Sequence, residues 1–234
     1  MRFNSYSVPT ALALAVLVAS VMDANALTIF DDGGTHTIDA GNATADMGVI
    51  VRDGPTNPTT LNIVGGTTGV ESNGIALLIE GSSTVTISGG TLLGHADVSD
   101  AAVLNILGGV IRGGVNAVSD SSVVNITGGF FGGNGDAGSV DADAGVLNIS
   151  GGTFTEMDIF GGSANIFGSG FNFPLGPIPV EFGTLTGTLA DGTALNVGFA
   201  RDPGSPITLI PEPSTALLLA SGLVALAMGR MRRV

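Results

Sequence analysis

Hydrophobic and polar residues alternate in a short phrase that returns along the middle of the chain. Each copy has an aliphatic residue, a polar residue and an isoleucine, and glycine follows shortly after. Side chains of a β-strand point alternately to opposite faces, so this period of two predicts a short strand. Paired glycines favour a sharp turn after it, since glycine adopts positive φ without penalty. The copies are LNIVGG (61–66), VTISGG (85–90), LNILGG (104–109), VNITGG (124–129), LNISGG (147–152) and a weaker ANIFGSG (164–170).

The copies recur at intervals of 17 to 24 residues, which is typical of a stacked repeat. Stacked strands lie about 4.8 Å apart, so equivalent residues would form aliphatic columns inside. We therefore expect an all-β protein whose body is a single-stranded parallel β-helix, or solenoid, with about three strands per turn. A β-sandwich is the rival fold, but it gives no reason for the phrase to return. The columns would contain Leu61, Val85, Leu104, Val124 and Leu147, and Ile63, Ile87, Ile106, Ile126 and Ile149.

The start of the chain has the three parts of a secretory signal peptide. Arg2 precedes an apolar run over 11–22, and Ala24-Asn25-Ala26 is a small-x-small cleavage pattern. We predict a signal helix within residues 1–26, removed by signal peptidase through Ala24 and Ala26. Residues 27–58 would form an N-terminal cap and first rung, 59–173 the β-helix repeats, and 174–209 capping strands and a linker. Phenylalanines 130, 131, 154, 160, 167 and 171 are expected to thicken the core of the later rungs.

The last 25 residues, 210–234, form a separate segment. Pro211 and Pro213 keep the backbone extended and non-helical around Glu212. Residues 214–229 are uncharged and mostly apolar, a length marginal for a helix that crosses a membrane. The chain then ends in a positive cluster that is retained on the cytoplasmic side. The cluster consists of Arg230, Arg232 and Arg233.

This order of Pro-Glu-Pro, apolar helix and arginine-rich end resembles the PEP-CTERM sorting signal. The resemblance implies recognition of Pro211, Glu212 and Pro213 by an exosortase, an integral-membrane cysteine-protease-like enzyme of Gram-negative bacteria. It implies export through the inner membrane, transient anchoring by the C-terminal helix, and removal of the tail. Cell-surface or extracellular placement would follow, with exopolysaccharide as a candidate partner. An ordinary tail anchor is the alternative, and it does not require the Pro-Glu-Pro triplet.

Composition narrows the class of protein further. The net charge is −13, and all seven basic residues are arginine. Such a chain repels phosphate backbones, so no nucleic-acid partner is predicted. The absence of cysteine excludes disulfides, thiolate nucleophiles and cysteine-based metal sites. Stability must therefore come from the stacking itself.

Two polar features are candidates for binding. The stretch GGNGDAGSVDADAG (132–145) offers Asp136, Asp141 and Asp143 as calcium ligands. It departs from the calcium nonapeptide G-G-x-G-x-D because Asp136 comes one place early, and a loop insertion is the alternative. A regular asparagine column would bind sugar hydroxyls, or would stack its amides to stabilise the strands. The column contains Asn62, Asn105, Asn125, Asn148 and Asn165.

The sequence contains no recognisable acid/base constellation. His36 and His95 are far apart in the sequence, and no cofactor is predicted. Asp97, Asp100 and Asp120 can approach one another between rungs, so a polysaccharide-degrading hydrolase or lyase is the alternative function. The favoured expectation is an exported, non-enzymatic structural or adhesive protein of the cell surface or extracellular matrix, associated with exopolysaccharide or biofilm.

Overall fold

The computed structural model describes residues 27–43, 47–69, 74–133 and 136–212, and for residues 136 and 137 the backbone alone. This part of the chain is all-β, as predicted, and contains no helix. No helix long and apolar enough to cross a membrane occurs among these residues. The predicted signal peptide, the apolar segment 214–229 and the terminal arginines lie outside them.

The described residues form 22 strands. In chain order they are β1 (Leu27–Phe30), β2 (Thr35–Ile38), β3 (Gly48–Val51), β4 (Thr60–Ile63), β5 (Thr67–Thr68), β6 (Ile75–Ile79), β7 (Thr84–Ile87), β8 (Thr91–Leu92), β9 (His95–Val98), β10 (Val103–Ile106), β11 (Val110–Ile111), β12 (Gly114–Ala117), β13 (Val123–Gly133), β14 (Asp136–Ala137), β15 (Ser139–Ala142), β16 (Val146–Thr153), β17 (Glu156–Ile159), β18 (Ser163–Ser169), β19 (Gly176–Pro177), β20 (Phe182–Leu189), β21 (Ala194–Arg201) and β22 (Ile207–Pro211).

The repeated phrases form one column of parallel strands. The order is β2, β4, β7, β10, β13, β16, β18 and β22, each paired with the next. The register aligns the phrases residue by residue, so Leu61 lies beside Val85 and Ile63 beside Ile87. The predicted aliphatic columns are therefore confirmed, and their members are buried.

The strands that come between these in the sequence form a second column and a shorter third column. The second column runs β1, β3, β6, β9, β12, β15, β17 and β21, all parallel. The third runs β5, β8 and β11 and continues into the later parts of β13 and β16. From β4 to β12, each set of three consecutive strands adds one strand to every column, which makes one layer. The layers bury aliphatic residues from all three columns against one another, in a single continuous core.

The two glycines of each repeated pair have different roles. The second glycine has positive φ in every full copy, for example +97° at Gly129 and +81° at Gly90. In four of the five full copies the first glycine passes close to a neighbouring strand or turn: a Cβ at Gly128 would lie 2.5 Å from the carbonyl oxygen of Leu107, whereas at Gly65 the nearest atom is 3.6 Å away. The pair thus makes the corner and lets successive corners stack.

The C-terminal end changes from parallel to antiparallel pairing. β21 and β22 continue the second and first columns, so part of 174–209 extends the stack. β20 then pairs antiparallel with β21, and β19 with β22. Phe171 and Phe173 pack against the core beneath them, and the Phe173 ring meets Phe199 edge-on at 6.0 Å. This antiparallel layer, residues 171–189, is called the C-terminal cap below.

The prediction about phenylalanines is correct only in part. Phe131 and Phe154 are buried and pack edge to face, with ring centroids 6.2 Å apart. Phe130 and Phe160 are about half exposed and do not thicken the core. Alternation explains the difference, because Phe130 and Phe131 are neighbours and point to opposite faces.

Candidate functional site

A polar ladder lies on the outer face of the second column. Asp97, Asn116, Asp141 and Asp158 occupy the same position of four consecutive strands, in register. The residues on either side of each belong to the core, so alternation turns these four outward. His95, Ser139 and Glu156 occupy the other outward position of these strands. These seven residues are called the acidic face.

Stacking and partial burial raise the pKa values along this face. The pKa of Asp141 rises from 3.8 to about 6, first because burial removes water, and also because the carboxylates of Asp158 and Asp143 repel its charge. The pKa of Asp97 is raised by burial and by Asp143, against the opposing effect of His95. Burial, and then Glu156, raise the pKa of Asp158. With a pKa of about 6, Asp141 titrates within about one pH unit of neutrality.

Hydrogen bonds satisfy only part of the ladder. The Ser139 hydroxyl donates to Oδ2 of Asp141 at 2.9 Å. The Asn116 amide donates to Oδ2 of Asp143 at 2.8 Å. The Oδ1 atoms of Asn116 and Asp141 are covered from solvent and have no hydrogen-bond partner among the described residues. The face thus presents acceptors in excess of donors.

The three candidate calcium ligands lie in different structural elements. Asp141 lies in β15 on the acidic face, and Asp143 follows it in the next turn. Asp136 lies in β14, which pairs antiparallel with the end of β13, and its side chain is outside the description. Among the described side chains, no group of three His, Asp or Glu residues is arranged to hold a metal ion.

The asparagine column is a chain of amide hydrogen bonds. Asn125 donates to Asn105 at 2.9 Å, Asn148 to Asn125 at 2.9 Å, and Asn165 to Asn148 at 3.0 Å. Thr86 interrupts the column, so Asn62 is separated from the other four. Each of these bonds connects one layer to the next, as the stacking interpretation of the column requires.

Aspartates in the turns that follow second-column strands accept hydrogen bonds from backbone amides. Asp100 has positive φ (55°), and its carboxylate accepts a hydrogen bond of 3.0 Å from the amide of Gly81. Asp53 likewise accepts bonds from the amide of Ser82. Asp100 and Asp120 line an open depression of about 470 Å³ beside these turns. Asp97 lies on the acidic face instead, so the three aspartates that were considered together divide between two places.

The histidines also separate. His36 lies in β2, where Nε2 is 2.8 Å from Oδ1 of Asp32 and the ring packs at a tilt of 36° against Phe30. His95 lies on the acidic face, two residues before Asp97.

Four residues of the acidic face, Asn116, Ser139, Glu156 and Asp158, are absent from the candidates predicted from the sequence. The signal was present in the four-residue segments HADV, GVNA, SVDA and EMDI, which share one alternation and return with the main repeat. Their residue types differ more than those of the asparagine phrases, so the repeat is harder to recognise in the sequence.

Of the predicted processing residues, the structure describes two. Pro211 is the last residue of β22 and pairs with Gly168, and the Glu212 amide donates to the Gly168 carbonyl at 3.3 Å. Ala24, Ala26, Pro213, Arg230, Arg232 and Arg233 lie outside the described residues.

The comparisons with known proteins add no relative. No family model, no curated protein and no solved structure matches the chain.

Proposed function

We propose that the protein is exported and has a structural or adhesive role at the cell surface or in the extracellular matrix. An exosortase-like membrane protease would process it at Pro211-Glu212-Pro213, after signal peptidase had removed residues 1–26. Exopolysaccharide is the candidate matrix partner. The PEP-CTERM resemblance of the last 25 residues supports this assignment.

We further propose that the body is a parallel β-helix. Three columns of parallel strands, to which successive layers each add a strand, support this fold. In a sandwich, the repeated phrases would instead pair antiparallel. Such a stack suits an extracellular role, since its cohesion depends on burial and amide bonds and not on disulfides.

The observation that carries the proposal is the position of the sorting triplet. The last strand of the stack, β22, ends at Pro211, the first residue of the triplet. Cleavage after the triplet would remove the apolar segment and the arginines while keeping every described strand and every layer-to-layer bond. The body and the sorting signal are thus separable at the site where the protease is expected to act.

Mass spectrometry of the membrane and secreted fractions tests this proposal. We expect secreted wild-type chains to lack the residues that follow the triplet, and Glu212→Ala chains to retain Val234 in the membrane fraction. Glu181→Ala is the matched control, because Glu181 is an exposed glutamate of the cap outside the triplet. A secreted wild-type chain that still ends at Val234 would refute sorting by cleavage.

One observation favours the second candidate, a polysaccharide-degrading enzyme. Asp141 has a pKa of about 6, which suits a general acid, and Asp158 lies on the next strand, about 4.8 Å away along the stack. Two carboxyl groups at short separation are the machinery of retaining glycosidases. Release of reducing ends from polysaccharides, lost in Asp141→Asn and kept in Asp202→Asn, would establish this function. No release by the wild-type protein from the exopolysaccharide of its own host would reject it.

A further inference from the structure

The outer surface of the C-terminal cap exposes several apolar side chains. The side chains of Leu175, Val180 and Phe182 are 58%, 39% and 77% exposed, and Phe182 and Leu175 are the two most exposed large hydrophobic side chains among the described residues. Exposed prolines at 174, 177 and 179 extend the same surface. This set of six residues is called the cap patch. The six residues fall within nine consecutive positions, 174–182, and a cluster of exposed apolar side chains indicates a contact that the isolated body does not make.

Hydrogen bonds hold the cap patch on the last layer. The amide of Ile178 donates to the carbonyl of Ile207 at 2.8 Å, and Phe182 pairs with Ala200. Between them, Nε of Arg201 donates to the carbonyl of Val180 at 2.9 Å. The patch is therefore a defined surface of the end layer and spans both β21 and β22.

The chain leaves the body beside this patch. Gly176 pairs antiparallel with Leu209, so Leu175 lies toward Ile210 and the end of β22. The apolar segment 214–229 begins two residues beyond Glu212. Two extended residues span about 7 Å, so an anchored tail holds this end of the body against the bilayer surface.

We propose that the cap patch docks on the lipid bilayer that holds the C-terminal segment, so that the body stands on the membrane with its capped end down. This inference rests on the anchored intermediate of the proposed function. The occupant is the boundary between headgroups and acyl chains, where exposed Phe, Leu and Val side chains bury apolar area. Docking would present the sorting triplet at the membrane surface, where an integral-membrane protease acts.

The charges near the patch select the lipid. Glu181 and Asp202 are exposed beside it, and the Arg201 guanidinium is engaged by backbone carbonyls. Anionic headgroups would be repelled by the two carboxylates. Docking therefore relies on apolar contact with zwitterionic lipid, and phosphatidylcholine vesicles are the appropriate probe.

The protein contains no tryptophan, so Phe182→Trp introduces a single fluorescent reporter into the cap patch. Phe130→Trp is the matched control, because Phe130 is 49% exposed on β13. Phe182 lies on β20, which is three strand spacings, about 14 Å, from β15, the second-column strand that follows β13, through β21 and β17. Mature chains, residues 27–234, are reconstituted in phosphatidylcholine vesicles with and without brominated acyl chains, and co-sedimentation is measured in parallel. We expect brominated lipid to quench the Phe182→Trp emission at least about twofold more strongly than the Phe130→Trp emission.

Co-sedimentation separates failure of docking from failure of anchoring. Chains that co-sediment with vesicles and show equal quenching at both positions would overturn docking and leave the anchored intermediate intact. Chains that do not co-sediment would overturn both. A blue shift of the Phe182→Trp emission that grows with protein concentration in the absence of lipid would assign the patch to a second copy of the chain, and would also overturn docking.

Discussion

The side-chain amide of Asn148 donates a hydrogen bond of 2.9 Å to the amide oxygen of Asn125 on the preceding strand. Asn125 in turn donates to Asn105, so a central amide uses both its donor and its acceptor within the ladder. These side chains are half-buried, where an amide that loses its partner is only partly compensated by water. The ladder therefore adds a polar connection between layers to the apolar columns on either side of it.

Removing the central amide should interrupt two bonds at once. Asn125→Ala is expected to lower the free energy of unfolding by about 1–3 kcal/mol, because Asn105 and Asn148 each lose a partner. Urea unfolding followed by circular dichroism measures the change. Asn62→Ala is the control, since Thr86 separates Asn62 from the ladder, and its effect should be clearly smaller. Equal losses in the two variants would show that the amide bonds contribute little.

The corner glycines allow a test with one substitution at two equivalent positions. A Cβ at Gly128 would lie 2.5 Å from the Leu107 carbonyl oxygen, whereas at Gly65 the nearest atom is 3.6 Å away. Overpacking of this kind costs about 1–3 kcal/mol. Gly128→Ala should therefore lower the urea midpoint, and Gly65→Ala should leave it nearly unchanged. Similar midpoints would mean that the corners spread apart without cost.

The first column was predictable because the LNI phrase and its Gly-Gly pair recur with few substitutions. The copies can therefore be aligned with one another directly from the sequence. Alternation then correctly placed Leu61 and Ile63 inside and the asparagines outside. The second column is harder to predict, since its strands share a pattern of burial but few residue types. Asp141 is therefore predicted as a loop ligand, whereas it lies in β15. Alternation within β13 also places Phe130 on the outer face, which outweighs the clustering of phenylalanines in the sequence.

The cap was predictable only as a break in the period. Residues 174–209 contain no repeated phrase, so local sequence does not distinguish strands that extend the stack from strands that close it. The decisive contacts connect residues far apart in the chain, such as Arg201 with Ile178 and Val180. Those contacts depend on the tertiary arrangement and leave no periodic signal.

Arg201 connects the cap with the turn after β21 through four backbone carbonyls, two on each side. Its guanidinium donates to Val180 (2.9 Å), Ile178 (3.1 Å), Asp202 (3.2 Å) and Ser205 (3.2 Å). A lysine ammonium cannot reproduce this planar set of donors, so Arg201→Lys should cost about 1.5–3 kcal/mol. Limited proteolysis should then cut within 174–182, and urea unfolding should report the loss.

The same substitution at a surface ion pair provides the control for Arg201. Arg52 lies 2.9 Å from Asp31, and both side chains are about half exposed. Such pairs contribute about 0–1 kcal/mol, so Arg52→Lys should change neither the protease pattern nor the midpoint appreciably. A cap that stays resistant in Arg201→Lys would show that strand pairing alone holds it.

The acidic face should make stability depend on pH in the direction opposite to ordinary salt-bridged carboxylates. In the folded protein the pKa of Asp141 is raised to about 6 by burial and by the charges of Asp158 and Asp143, so the folded state binds its proton more tightly than the unfolded chain does. The protonation of Asp141 therefore contributes to the free energy of unfolding. This contribution is fully present below pH 3.8, the pKa of the unfolded chain, and is lost as the pH rises through about 6. Burial also raises the pKa values of Asp97 and Asp158, which contribute in the same direction.

Asp141→Asn keeps an acceptor for Ser139 and removes the charge. The variant should match the wild type near pH 4 and exceed it at pH 8 by about 1–2 kcal/mol, a value reduced to allow for partial exposure. Urea unfolding at the two pH values measures the difference. Asp120→Asn, in the turn after β12, removes a carboxylate away from the acidic face and should not change the slope in this way. A wild-type protein that gained stability between pH 4 and 8 relative to Asp141→Asn would contradict the assignment, because it would mean that folding favours the ionised Asp141.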